Sequence, residues 1–455
     1  MATKELTTGS PLKLIILFMV PIFLGNLFQQ VYSLVDTLIV GRTIGIKALA
    51  AVGATGPMIF LIISFIFAST QGFAVVTAQK FGARDYNLLR KSVTAGFILS
   101  FILTIIMTLI SAPFTEYMLS FLRTPDDIIS LSNEYLFIMF IGIIATVFYN
   151  YSSNVIRALG DSKTPLYFLI FASILNIFLD LLFILKFKMG VGGAAWATVL
   201  SQAISTVLCL FFMFRKFPVL KLKKEDWKQD TNFLYEHLRV GIPMGFQMSV
   251  LTLGVIAVQY VLNGLGSNAI AAFTTAVRVD QLASQSLLAL GAAVATYTAQ
   301  NYGANKMSRI RDGARASVLI AIFISIFCAI FILTCGEFVV GLFMDVPDEE
   351  IINLAMQYLH IIIIFFFFLG LLLIYRNILQ GMGNVMAPLF SGIAELLMRI
   401  FAAFFLAHIM GYIGICLAAP VAWIAASIVL YVGYKISLIR NLQKIRKAYD
   451  RTKRN

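Results

Sequence analysis

The sequence predicts an all-α membrane protein that crosses the bilayer many times, and three observations lead to this fold class. Of the 455 residues, 60% are hydrophobic and only 13% are charged, a composition that a soluble chain of this length could not bury. Apolar runs long enough to cross about 30 Å of hydrocarbon recur along the whole chain. The two halves also repeat one another, so we expect twelve transmembrane helices in two six-helix bundles related by a pseudo-two-fold axis along the membrane normal.

Twelve apolar runs define the expected spans, and several contain Gly or Pro, which transmembrane helices tolerate. The runs cover residues 12–37, 47–76, 92–112, 131–155, 164–185, 192–215, 237–261, 269–296, 315–335, 352–375, 387–408 and 412–437. Lys and Arg are abundant before the first run, after Lys435 and in every second connection between runs. Arg157 is assigned to the fourth connection and Arg376 to the tenth. The other connections hold few basic residues, and those at 126–127 and 345–350 are acidic.

This alternation of basic residues predicts the orientation of the chain. By the positive-inside rule, both termini and the even-numbered connections face the cytoplasm. The net charge of +13 therefore reflects the cytoplasmic connections rather than nucleic-acid binding.

Short motifs recur about 222 residues apart, which indicates an internal duplication. QKFGA at 79–83 matches QNYGA at 300–304, Pro21 matches Pro243, and RALGDSKTP at 157–165 matches QGMGNVMAP at 380–388. Each copy holds an even number of spans, so both copies enter the membrane from the same side. The predicted organisation is an N-terminal bundle at 1–215, a cytoplasmic linker at 216–236, a C-terminal bundle at 237–438 and a basic cytoplasmic tail at 439–455.

Ionisable side chains inside the first six spans are candidates for function, because a charge in the bilayer is costly. Asp36 lies in the first span and Asp180 in the fifth, where Asn176 precedes it by one turn on the same helix face. Thr198 adds a hydroxyl in the sixth span. If Asp36 faces the same interior, the two acids cannot both stay ionised cheaply, and one should bind a proton or a cation. The alternative is a structural polar contact between helices.

The second half carries different ionisable groups. Glu395 and Arg399 are spaced i, i+4, so they either neutralise each other as a structural pair or recognise charge on a substrate. Arg278 and Asp280 are two residues apart and do not face each other, and we expect a structural or gating role for them. The repeat places apolar residues opposite the two acids of the first half. Ion chemistry should therefore be concentrated in the first bundle.

With these features the chain resembles the multidrug and toxic compound extrusion (MATE) transporters, in the branch of DinF and MepA. The resemblance covers essentially the whole chain and is carried by Pro21, Tyr32, Asp36, residues 53–57, the motifs at 79–83 and 157–165, and Asn176-Ile-Phe-Leu-Asp180 with Thr198. It implies a cation site in the N-terminal lobe that comprises Asp36, Asn176, Asp180, Thr198, Tyr32 and Asn154. It also implies that the first helix bends at Pro21 when the acid is protonated. The acidic pair of the NorM-like branch, in spans seven and ten, is missing here.

The resemblance implies secondary active multidrug efflux. An inward-moving H⁺ or Na⁺ would drive an organic, cationic amphipathic compound outward as the two bundles alternate access to a central cavity. Aromatic and methionine side chains suit flat cations of varied shape. The candidates for the substrate cavity are Gln29, Tyr32, Tyr149, Met248, Glu395, Met398 and Arg399. The sequence contains no catalytic or nucleotide-binding motif, so we expect no enzyme activity, no cofactor and no metal beyond Na⁺ at the coupling site.

The expected setting is the plasma (inner) membrane of a prokaryote, where the protein would act as a monomer on small organic cations or drugs. Two alternatives stay open from the sequence. A lipid-linked oligosaccharide flippase would need a more basic cavity than Arg278 and Arg399 supply. A membrane receptor without transport activity would not need a duplicated bundle, and an efflux assay in vesicles separates the three hypotheses.

Overall fold

The structure, a computed structural model, describes residues 5–343 and 348–452, and this part of the chain contains helices and no strands. The α-helices are α1 Pro11–Thr43, α2 Ile46–Gly82, α3 Tyr86–Ser111, α4 Thr115–Phe121, α5 Asp126–Ile141, α6 Ile143–Ala158, α7 Lys163–Leu181, α8 Gly190–Lys216, α9 Thr231–Leu262, α10 Ser267–Gly303, α11 Met307–Gly341, α12 Glu349–Gly381, α13 Met386–Phe401, α14 Ala407–Met410, α15 Tyr412–Cys416 and α16 Ala418–Thr452. The all-α prediction is confirmed. Residues 1–4 and 453–455, together with 345–347 of the predicted acidic connection, lie outside the described residues.

Within the described residues, eleven helical segments are long and apolar enough to cross a membrane. The predicted fourth span is broken, because α5 and α6 meet at Gly142 with a bend of 46°, and counting this pair as one span gives twelve. Gly142 has no side chain, and a Cβ there would collide with Val199 of α8. The close approach of α8 therefore requires glycine at the bend.

A turn of π-helix interrupts one span in each half of the chain. Leu182–Lys186 follows α7, and Ala402–Leu406 follows α13, about 220 residues later. A π turn shifts the hydrogen-bond ladder of an α-helix by one residue. The repeat predicted from the sequence is thus visible in the backbone.

The chain divides into two compact units. Unit 1 comprises Met1–Glu5 and Leu24–Gly245, and unit 2 comprises Leu6–Phe23 and Phe246–Asn455. Two helices, α1 and α9, therefore contribute to both units, and each changes unit shortly after its internal proline, Pro21 or Pro243. Proline lacks the backbone N–H, so each helix loses one internal hydrogen bond near this point. The bundle boundaries predicted at 215 and 237 stay a prediction.

Two arginines and the tail lie in helices rather than in connections. Arg157 belongs to α6 and Arg376 to α12, and α16 continues through the predicted tail as far as Thr452. The assignment of Arg157 and Arg376 to connections was wrong. Each arginine follows the end of an apolar run, but its long apolar stem allows the helix to continue past that end.

The segment predicted as a linker, 216–236, packs onto unit 1. Phe217 and Leu220 are fully buried in its core. The carboxylate of Asp226 accepts a hydrogen bond from Arg90 Nε at 3.1 Å, and its backbone carbonyl accepts one from the hydroxyl of Thr94. The segment thereby ties the beginning of α3 to the chain that enters α9.

Glycine allows α2 and α9 to touch within unit 1. A Cβ on Gly72 would collide with the backbone of Gly241. We expect Gly72→Ala to lower the free energy of unfolding by about 1–3 kcal/mol, because backbone atoms cannot move aside as a flexible side chain would. Thermal unfolding in detergent measures the change.

The matched control for this substitution is Gly53→Ala in the same helix, where a Cβ would meet no atom within 4 Å. Its unfolding temperature should not fall. If both variants unfolded at the temperature of the parent protein, the close contact at Gly72 would not contribute to stability.

Candidate functional site

Helices α1, α7 and α8 of unit 1 bring the predicted coupling residues together. Asp36 lies on the second half of α1, where it is half-buried, while Asp180 and Asn176 are buried on one face of α7. Thr198 comes from α8, which packs against α7 through small residues at its beginning.

The two acids lie next to each other. The carboxyl groups of Asp36 and Asp180 are within hydrogen-bonding reach of one another. One oxygen of each, Asp36 Oδ1 and Asp180 Oδ1, is buried without a hydrogen-bond partner. Two carboxylates accept but do not donate hydrogen bonds, so a direct contact between them requires a shared proton or a bound cation.

Asn176 joins the acids to the other polar residues. The side-chain amide is oriented so that both its nitrogen and its oxygen have hydrogen-bond partners. In this orientation Nδ2 donates to Asp180 Oδ2 at 2.9 Å and to Tyr32 Oη at 3.0 Å. Its Oδ1 accepts a hydrogen bond from the backbone N–H of Thr198 at 3.1 Å. The hydroxyls of Tyr32 and Thr198 lie close enough to interact with each other. We define these residues, Tyr32, Asp36, Asn176, Asp180 and Thr198, as the acid cluster.

The structure adds Tyr135 of α5 to the surroundings of the acid cluster. This side chain is buried and lies close enough to Tyr32, Asp36 and Asp180 to interact with them electrostatically. Tyr135 does not stand out in the sequence, because a tyrosine in a membrane span is common and carries no charge.

Three other predicted residues of unit 1 have different neighbours. Asn154 contacts the hydroxyl of Thr70 and the guanidinium of Arg157, each at 3.5 Å. Tyr149 donates to the carbonyl of Pro165 at 3.3 Å. Gln29 is exposed. Of these three, only Asn154 was predicted for the cation site, and its contacts with Thr70 and Arg157 lie outside the acid cluster.

In unit 2, Glu395 of α13 forms two ion pairs. Arg399, one turn later, donates to Glu395 Oε1 at 3.3 Å, and Arg376 of α12 donates to Oε2 at 2.8 Å. The predicted pair of Glu395 and Arg399 is thus part of a triad. Arg376 was not among the predicted site residues because it was assigned to a connection.

The remaining candidates of unit 2 lie apart from one another. Asp280 accepts hydrogen bonds from Ser284 at 3.3 Å and from Tyr358 at 3.4 Å, whereas Arg278 is exposed and forms no ion pair with it. Met248 and Met398 are half-buried.

The donor set of the acid cluster is oxygen-based. Carboxylate, hydroxyl and amide oxygens are ligands for hard cations such as Na⁺, and the carboxyl pair also fits a proton. Among the described residues, no group of three or more His, Cys, Asp or Glu side chains could hold a metal ion. The cluster therefore offers two acids and neutral oxygens rather than a divalent metal centre.

Comparison with known proteins identifies the family. A family model described as MatE matches residues 21–182 and again residues 243–405. The chain belongs to the MatE family. Each match begins at the proline of a helix that contributes to both units, α1 or α9. The family predicted from the sequence, one of membrane transporters, is confirmed.

Curated relatives cover nearly the whole MatE chain. YpnP of Bacillus subtilis, named a probable multidrug resistance protein, is 32% identical over 441 residues, which span 96% of this chain and 97% of YpnP. The multidrug export protein MepA of Staphylococcus haemolyticus is 23% identical over 432 residues, 95% of this chain and 94% of MepA.

Solved MATE structures share this fold. The crystal structure of MATE in complex with MaL6 is 25% identical, with a TM-score of 0.88, and the alignment covers 96% of this chain and 98% of that one. MATE in the bent conformation has a TM-score of 0.90 with the same coverage at 24% identity, which shows similarity of fold. The fold class predicted from the sequence, an all-α protein with multiple membrane spans, is confirmed.

Proposed function

We propose that this protein is a secondary active multidrug efflux transporter that exports organic, cationic amphipathic compounds in exchange for H⁺ or Na⁺. The observation that carries the proposal is the acid cluster. Among the described residues, neither Asp36 nor Asp180 forms an ion pair with a basic side chain. Acids without basic partners in a membrane span are costly unless a mobile cation neutralises them.

The acid cluster can couple ion movement to export because its negative charge can be neutralised in two ways. When H⁺ or Na⁺ occupies the cluster, it removes one of the two negative charges that would attract a cationic compound. When the ion leaves, the two carboxylates repel each other and attract a cation again. Competition of this kind makes each direction of movement depend on the other, as antiport by alternating access requires.

The names of the relatives support a drug substrate, since YpnP is called a probable multidrug resistance protein and MepA a multidrug export protein. The setting we propose is the plasma membrane of a prokaryote, with both termini in the cytoplasm. The basic residues in the even-numbered connections support this orientation.

The test uses purified protein in sealed vesicles loaded with a cationic dye. A pH gradient without Na⁺, and separately a Na⁺ gradient at equal pH, is imposed while dye movement is followed by fluorescence. We expect one of the two gradients to move dye against its own gradient, and protein-free vesicles to move none. If neither gradient moves dye faster than the protein-free control, the proposed antiport is wrong.

A further inference from the structure

Helices α12 and α13 of unit 2 share a row of buried polar side chains. On α13, Ser391, Glu395 and Arg399 recur every four residues and therefore lie on one face. On α12, Arg376 and Gln380 have the same spacing. We call these five residues the polar seam. Four of them are buried, and the Arg399 side chain is 17% exposed.

Neighbouring residues hold the ends of the polar seam in place. Gln380 donates to Gln247 Oε1 at 3.0 Å, and Gln247 donates to the carbonyl of Pro388 at 2.7 Å. The Arg399 side chain lies against Gly254 of α9, where a Cβ would come within 2.8 Å of Arg399 Cδ. Arg399 is thus held by packing as well as by its ion pair.

Hydrogen-bond donors outnumber acceptors in the polar seam. Glu395 uses one oxygen for each arginine. Arg376 Nε, Arg399 Nε and Ser391 Oγ are buried without a partner. Two guanidinium groups face a single carboxylate, so the ion-paired triad carries one excess positive charge. Unpaired buried donors are costly, and the cost is larger for charged groups.

Asp280 does not supply the missing acceptor. It interacts electrostatically with Arg399, but its two oxygens accept from Ser284 and Tyr358. Among the described residues it forms no ion pair with either arginine. Among the described residues, these three donors therefore have no hydrogen-bond acceptor.

We propose that the polar seam binds an oxyanion group, a carboxylate or phosphate, of an amphipathic molecule. Guanidinium groups bind such oxygens with short, charge-assisted hydrogen bonds and hold them in a defined orientation. As a substrate site this inference rests on the proposed function, and it assigns the anionic group of an exported amphiphile to the polar seam of unit 2. A lipid headgroup offers the same chemistry, and the experiment distinguishes the two sources.

The first arm compares two rhodamine dyes that differ only in one group, a free carboxyl in the zwitterion and its methyl ester in the cation. Binding to the purified protein in phosphatidylcholine nanodiscs is measured by fluorescence anisotropy. Arg399→Gln should raise the Kd of the zwitterion about tenfold, as expected for loss of one charge-assisted contact, and leave that of the ester within about twofold. The variant keeps the Arg376–Glu395 pair, so no buried charge is left unpaired.

Two further variants separate charge recognition from a structural role. Arg399→Lys keeps the charge without the planar fork and should weaken zwitterion binding less than Arg399→Gln does. Arg311→Gln, which removes an exposed arginine of α11 in the same unit, should change the affinity of neither dye. Equal weakening of both dyes by Arg399→Gln would overturn the proposal.

The second arm repeats the dye titrations in phosphatidylglycerol nanodiscs and measures the preference of the protein for this anionic lipid over phosphatidylcholine by native mass spectrometry. If a headgroup occupies the polar seam, Arg399→Gln reduces the lipid preference, and phosphatidylglycerol competes with the zwitterion. If Arg399→Gln alters neither zwitterion binding nor lipid preference, the seam binds no oxyanion and the proposal fails. Failure of the proposed antiport is a separate result, because it would appear as absence of gradient-driven movement of the cationic dye.

Discussion

Replacing either acid of the acid cluster by asparagine is expected to stop gradient-driven efflux. Asp180→Asn keeps the size of the side chain and its contact with Asn176, but the amide can neither release a proton nor neutralise Na⁺. Asp36→Asn removes the other half of the pair in the same way. Dye movement in vesicles should fall to the level of protein-free vesicles for both variants.

A second measurement shows whether coupling, rather than folding or substrate binding, is lost. Without an ion gradient, exchange of labelled for unlabelled cationic dye requires only that the carrier binds dye and changes its access. We expect some exchange to persist in the asparagine variants, because one acid remains to attract a cation. Persistent gradient-driven efflux in both variants would remove the acid pair from the mechanism.

The matched control is Asp85→Asn in the same unit. Asp85 is exposed and caps α3 by accepting a hydrogen bond from the backbone N–H of Leu88 at 3.0 Å. Asparagine caps helices about as well as aspartate does. This variant removes one carboxylate outside the acid cluster, so its transport should equal that of the parent protein.

Glu395→Ala is expected to be among the most destabilising single substitutions in unit 2. Glu395 is 4% exposed and is the acceptor for both Arg376 and Arg399. Removing it leaves two buried guanidinium groups without their carboxylate, which costs about 3–5 kcal/mol in other buried ion pairs broken from one side. Thermal or denaturant unfolding in detergent measures this loss.

The comparison for Glu395 is Glu337→Ala on α11, an exposed acid of the same unit. Its effect on stability should be small, since exposed charges contribute about 0–1 kcal/mol. In the double variant Arg399→Gln with Glu395→Gln, Arg376 remains buried without a carboxylate. This variant should therefore still be less stable than the parent protein. Equal stability of Glu395→Ala and Glu337→Ala would show that the triad does not stabilise unit 2.

The sequence was sufficient to select most of the acid cluster because each member stands out locally. Asp36 and Asp180 are single charges within apolar runs, and Asn176 shares a face with Asp180 by its spacing. Their convergence depends on contacts between α1 and α7, which no local pattern contains, and it became visible only in the structure.

The residues that sequence analysis missed have physical reasons for being inconspicuous. Tyr135 is uncharged and resembles many other aromatic residues in the spans. Arg376 lies five residues from the end of α12. The amino-acid composition near a helix end does not distinguish a charge inside the helix from one in the connection that follows. Its partner, Glu395, is on the next helix, so only the packing of α12 with α13 shows the ion pair.

The two π turns indicate which structural features of this transporter are older than its internal duplication. The turn at 182–186 begins two residues after Asp180, whereas the residue two positions before the turn at 402–406 is the apolar Ile400. A feature present in both copies was inherited from the single ancestral unit before it was duplicated. The turn can therefore exist without an adjacent acid, and the two copies have since diverged in side chains while keeping the same irregularity of the backbone.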